Sequence, residues 1–272
     1  GSVTLPNGGA GTLVDNPGNK TIDLSVTTAV APLVWNGGSG DWDIGLTANW
    51  TGLRTTYLDG DLVRFDDTSS GGTDLAVALA VTVQPNQVLF DNAAKAYTLA
   101  GPGALAGAAG IRKSGAGALT LAGPNTASGG LALDSGAGTV TAPLAAAQDG
   151  LGTGPVTLGG GSTLILDNTN TTAAAVVKGN AFGGGGTLRV AFATNTTARA
   201  TTLTGLSGFA GTVQVGGAGS TTGDKLDVCG ADAPAATVQV TAGHTLQVGS
   251  DGAPVRFGWL ALSGAGNAEG RG

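Results

Sequence analysis

The chain is predicted to be an all-β protein, a parallel, right-handed β-helix or β-solenoid with roughly 24–25 residues per coil, and three observations carry that reading. The first is repetition. The tetrads TLIL, TLRV, TVQV and TVQV begin at Thr163, Thr187, Thr212 and Thr237, at steps of 187 − 163 = 24, 212 − 187 = 25 and 237 − 212 = 25, and a fixed step of this size marks a structural repeat. The second is alternation within each tetrad. Successive strand residues face opposite ways, so Leu164/Leu166, Leu188/Val190, Val213/Val215 and Val238/Val240 share one face while Ile165, Arg189, Gln214 and Gln239 take the other. The third is composition: 51 of 272 residues are glycine and only 11% are charged, against averages of ~7% and ~25%.

Composition also excludes alternatives. There is no G-x-y period and only 10 prolines, which rules out collagen. A mean hydropathy of +0.21 with a net charge of −6 is the reverse of a disordered chain. The glycines therefore serve tight turns. Repetition has an energetic reason. Burying a Val or Leu contributes ~1.5–3 kcal/mol, whereas ordering each backbone residue costs ~1–2 kcal/mol. One coil cannot fold alone, but a stacked coil covers its neighbour's apolar face and closes its hydrogen bonds. Strand twist favours the right-handed sense.

Taken in order, residues 1–32 hold strand-like pieces (SVTL, TIDLSV) broken by PNGG and DNPGN turns. They stand outside the rhythm, as a cap or a strand-exchange arm. Residues 33–272 read as one continuous solenoid: a Trp-rich lead-in over 33–68, then repeat coils over 69–272. A second, weaker ladder is expected through Val177, Leu203, Leu226 and Leu246, giving two or three short strands per coil.

The string IRKSGAGALTLAGPNTASGG, with Lys113, Gly115, Gly117, Leu119, Leu121, Gly123, Asn125, Gly129 and Gly130 in phase, resembles the autotransporter-associated β-strand repeat, also called the passenger-associated transport repeat. The upstream block WNGGSGDWDIGLTANW, followed by DGDLVRFDD, VLFDN and YTLAG, is similar to the lead-in of such repeats in large bacterial surface proteins. This resemblance implies a secreted bacterial β-solenoid passenger, extracellular or on the cell surface, serving as scaffold, adhesin or matrix fibre.

Few residues offer chemistry. Asp59, Asp61, Asp66 and Asp67 lie close together and oxygen ligands suit Ca²⁺, but Asp also favours turns by bonding its own backbone. Calcium is the one cofactor considered. Trp35, Trp42 and Trp50 are either core-filling bodies or a sugar-stacking platform. His244, the single histidine, is expected on an exposed flank or turn, and Cys229, the single cysteine, as a small buried hydrophobe. Asp224 and Asp227 flank Lys225, but their spacing sends them to opposite faces, against a lyase or hydrolase pair. Arg64, Lys178 and Arg199 are scattered and the pI is near 4.5, so no nucleic-acid footprint is expected.

The chain contains no methionine, and is read as processed or excised, a cloning remnant being a further reading of Gly1-Ser2. It shows no signal peptide and no run of 18 apolar residues that could span a membrane as a helix. The expected role is a non-catalytic structural rod that associates with itself end to end or with neighbouring repeats of a longer chain. A carbohydrate-binding adhesin using the Trp-rich region on surface glycans is the alternative, and a polysaccharide lyase or hydrolase a more remote one.

Overall fold

The computed structural model describes residues 1–4, 9–28, 31–145, 148–170, 176–192, 199–216, 224–229, 233–241, 244–248, 256–262 and 267–270. Among them there are strands and turns but no helix. The protein is a parallel β-solenoid preceded by a separate antiparallel meander.

The meander comprises β1 (Ser2–Thr4), β2 (Ala10–Asn16) and β3 (Thr21–Thr28), paired in the order β1-β2-β3. The solenoid opens with β4 (Leu33–Trp35), β5 (Gly40–Trp42) and β6 (Trp50–Thr51). From β5 a principal sheet runs by parallel pairing through Asp74–Leu79, Ala96–Ala100, Leu119–Leu121, Thr139–Ala145, Thr163–Asn168, Thr187–Phe192, Thr212–Val215 and Ala233–Val240 to Phe257–Leu262. A second sheet starts at β6, which lies antiparallel on β4, and continues from Leu62–Asp66 to Gly208–Phe209. In the early coils a further buried row, bridged at Val83 and Leu105, lies between these two sheets. A third sheet, from Val176–Lys178 to Asn267–Gly270, opens only in the second half.

The tetrad ladder stands as read. Leu164, Leu188, Val213 and Val238 are cross-strand partners in sequence, as are Leu166, Val190 and Val215, and Val215 pairs Val240 in turn. All eight are fully buried. Each side chain therefore covers the one below it, which is the repeat logic realised in three dimensions.

Two expectations are corrected. The 24–25-residue period is not uniform: the principal sheet advances by 119 − 97 = 22 from Tyr97 to Leu119 and by 140 − 119 = 21 from Leu119 to Val140. The second ladder is also re-registered. Lys178, not Val177, is the partner of Leu203; Val177 points outward, 63% exposed, while Lys178 is 5% exposed. Leu203 pairs Val228, and Leu226 pairs Thr201 below it and Leu246 above it.

The family-like motif now has a physical explanation. Leu119 and Leu121 point into the core. Gly115 has φ +74, and a Cβ there would sit 2.4 Å from the Asn92 carbonyl oxygen; Gly130 has φ +87, and its Cβ would meet the Pro155 carbonyl at 2.3 Å. Both positions combine left-handed backbone with contact against the next coil, so a side chain is excluded twice over. Asn125 is buried and bridges coils, accepting from Leu105 N–H at 2.9 Å and donating to Gly150 O at 3.1 Å.

Candidate functional site

The three sequence-predicted tryptophans converge on the first coil. Trp35, Trp42 and Trp50 are all buried, and their rings meet each other and Tyr57 and Phe65 at centroid separations of 5.0–5.9 Å. Phe65 then stacks on Phe90 at 4.8 Å, carrying the aromatic column into the next coil. Among the described residues this coil is the first of the stack, and large rings fill its interior. With 0–2% exposure, these rings pack inside the coil and none offers a face to a sugar.

The four aspartates do not converge on a common point. Asp59 accepts from the Tyr57 hydroxyl and Gln84 N–H at 2.9 and 2.7 Å. Asp61 binds the Arg54 guanidinium and Leu58 N–H. Asp66 accepts from Thr68 N–H at 2.9 Å and pairs with Arg64 at 2.8 Å. Asp67 reaches the coil above, where the successive N–H groups of Ala93, Ala94 and Lys95 close on it at 2.9–3.2 Å. That cradle of backbone amides holds the Asp67 carboxyl below its ordinary pKa. Among the described residues no group of three or more ligating side chains could hold a metal ion. The four carboxylates serve turns and staple coils.

The chemically richest locus lies inside the second half. Residues 199, 224 and 244 each precede a strand of the third sheet, and the pairing of Ala200 with Lys225 and of Lys225 with Thr245 sets Arg199, Asp224 and His244 at equivalent positions in three successive coils. Arg199 and Asp224 have fully buried side chains. The guanidinium forks onto the carboxylate from Nε and Nη2 at 3.3 and 3.2 Å, the Arg199 N–H donates to the same carboxylate at 2.8 Å, and Nη1 donates to Asn168 O at 2.7 Å. Phe192 lies 5.6 Å from the guanidinium carbon and stacks on His244 at 6.4 Å. A fork of this kind satisfies a buried pair geometrically, and the ring adds a cation–π contact.

His244 is therefore not the exposed flank expected of it. It is 6% exposed, with Nδ1 3.3 Å from Thr241 O, because its position continues a buried column. Cys229 is buried as expected, but its thiol donates to Asp227 at 3.4 Å. Asp224 and Asp227 are engaged separately, and Lys225 donates to Gln247 at 2.8 Å. Arg64, Lys178 and Arg199 are each matched to an aspartate, Asp66, Asp149 and Asp224.

Sequence reasoning placed none of the three buried cations, Lys113, Lys178 and Arg199, in the interior. Lys113 occupies an inward position between Phe90 and Leu133, fully buried, with Nζ donating to Ser114 O and Gly115 O at 2.7 and 2.6 Å. Burial pushes its ammonium down to about 8, against the upward pull of Asp91 and Asp67. The alternation of IRKS around Ile111 was the available signal, since it places residue 113 on the inward face.

Compared with known proteins, the chain matches no family model, no curated protein and no solved structure.

Proposed function

We propose that this chain is a non-catalytic structural module, a stiff β-solenoid rod in a secreted bacterial cell-surface or extracellular-matrix protein, extended end to end as a fibre or as part of a longer passenger. The observation that carries the proposal is the way polar groups are used. Arg199, Asp224, Lys113, Asn125 and Asp67 hold one coil to the next or satisfy corner carbonyls. A scaffold spends its polar side chains in this manner, whereas a catalytic groove needs carboxylates or bases left open to a substrate. The resemblance of Lys113 to Gly130 to the passenger-associated repeat supports the extracellular assignment. Burial of the tryptophans withdraws the feature on which the adhesin reading rested.

Negative-stain microscopy and small-angle scattering of the purified chain test the rod. Straight particles of one width, alone or joined at their ends, are the expected outcome. Compact globular particles, or glycan binding abolished by a substitution that leaves the fold intact, would replace this reading with another.

A further inference from the structure

The turn that carries the chain from β4 to β5 begins with Asn36-Gly37, a pair whose side chain and backbone can react with each other. Three features leave that reaction open in the folded chain. Asn36 is exposed, and among the described residues neither its carboxamide nor the Gly37 N–H has a hydrogen-bond partner. Packing demands glycine at 37, since a Cβ there would lie 2.6 Å from Cγ of Asn49, so no side chain of its own screens the Gly37 nitrogen. The Ser70 hydroxyl, finally, donates to the Asn36 carbonyl oxygen at 2.6 Å. When the Gly37 N–H gives up its proton, negative charge spreads onto that oxygen, and a donor already aimed at it favours the ionised form. The other asparagines of the solenoid differ. Asn92, Asn125, Asn168 and Asn180 are buried, donate through their amides to carbonyls of other coils, and precede alanine or threonine.

We propose that Asn36 is a self-modification site of the folded chain, deamidating through a cyclic imide with Ser70 promoting the step. The Gly37 nitrogen, its proton lost to water, bonds to Asn36 Cγ; the Cγ–Nδ2 bond breaks and ammonia leaves. Water then opens the imide. Breaking the new N–Cγ bond leaves aspartate in an ordinary backbone, whereas breaking the original peptide bond leaves isoaspartate, whose backbone runs through Cβ and Cγ. Nothing is oxidised or reduced. Either product adds a negative charge, and the second also lengthens the β4–β5 turn by one carbon. That turn is held by the Asn36 N–H on Asn49 O at 2.8 Å and by Trp35 Nε1 on Gly38 O at 2.9 Å. Lengthening it pulls the Trp35 indole and its acceptor apart, so the first coil registers the reaction. None of this depends on the rod reading.

The test is incubation of the full folded chain at neutral and mildly alkaline pH, followed by peptide mass spectrometry and ammonia release, with circular dichroism as the folding control. The peptide containing Asn36 should gain the mass difference between an amide and an acid, faster as pH rises, and chromatography should resolve aspartate and isoaspartate forms. Ammonia should appear in matching amount. Asn36→Gln, which would have to close a larger ring, should stop the conversion. Ser70→Ala should slow it several-fold and Ser70→Thr, which keeps the hydroxyl, should restore it; in urea-unfolded chains the three should react alike, because the contact between residues 36 and 70 exists only in the fold. An Asn36 that stays an amide in the folded chain overturns the inference. So does a folded-state rate that Ser70→Ala leaves unchanged.

Discussion

Arg199 and Asp224 stand one above the other in adjacent coils with side chains fully buried, and the guanidinium reaches both carboxylate oxygens, Oδ1 from Nε and Oδ2 from Nη2. Dehydrating two ions is costly, and the attraction between them repays it only when geometry and further hydrogen bonds are good. Here the Arg199 N–H and the Asn168 carbonyl supply those bonds. Removing one partner should thus be far worse than removing both. Arg199→Leu is expected to cost ~3–5 kcal/mol by stranding the Asp224 charge, while Arg199→Leu with Asp224→Leu should recover most of that loss. Chemical denaturation followed by far-UV circular dichroism measures both. Equal destabilisation by the single and the double change would mean that the pair is not the relevant unit.

Lys113 makes stability depend on pH in an unusual direction. Its folded pKa, about 8, lies below the ordinary 10.5 because burial disfavours the charge. Between those values the unfolded chain binds more protons than the folded one, so stability rises with pH across that window. The buried phenols act oppositely. Desolvation raises Tyr97 to about 12 and also raises Tyr57, which Asp59 reinforces, so above about pH 10 the unfolded chain loses protons that the folded one keeps, and stability falls. Melting temperatures measured from pH 7.5 to 11 should pass through a maximum near pH 10. Lys113→Met should flatten the rising limb and leave the falling one.

The principal ladder predicts a sharp contrast between neighbouring residues. Leu188 is fully buried between Leu164 and Val213, so Leu188→Ala should cost about 2–5 kcal/mol through lost burial and a residual cavity. Two residues beyond the Thr212 register, Gln214 faces outward and pairs with Gln239 at 3.0 Å; Gln214→Ala should change stability by less than about 0.5 kcal/mol. Hydrogen exchange adds a spatial signature. Amides of the coils on both sides of Leu188 should lose protection together, since each coil's face is covered by its neighbours.

These contrasts separate what was legible in the sequence from what was not. Leu164 to Val240 could be placed because alternation and a constant step agree there, and hydrophobic burial obeys both. Val177 was misplaced by one residue because Lys178 reads as an outward residue to any hydrophobic pattern, and only its pairing with Asp149 makes its inward position tenable. Arg199, Asp224 and His244 were unreadable for a related reason. Their burial depends on partners contributed by other coils, and the steps between them, 224 − 199 = 25 and 244 − 224 = 20, join residues of unlike chemistry. The turn-forming tendency of the acidic residues 59–67 is local and can be read in the sequence, whereas the cradle around Asp67 comes from residues 93–95, a coil away.

The aromatic end of the solenoid supplies the last prediction. Trp50 lies on the antiparallel strand β6 and packs edge-on against Trp35 at 5.0 Å and Trp42 at 5.3 Å. Among the described residues this coil is the first of the stack, and three indoles fill its interior. Trp50→Ala should therefore cost about 3–5 kcal/mol and loosen the first coil ahead of the rest. Trp50→Phe, which keeps a ring in the cavity, should cost markedly less. Limited proteolysis offers the check: the alanine variant should be cut first within residues 43–61, with the coils after Gly110 still protected. Uniform proteolysis along the whole chain would instead mean that the aromatic column holds the entire solenoid together as a single cooperative unit.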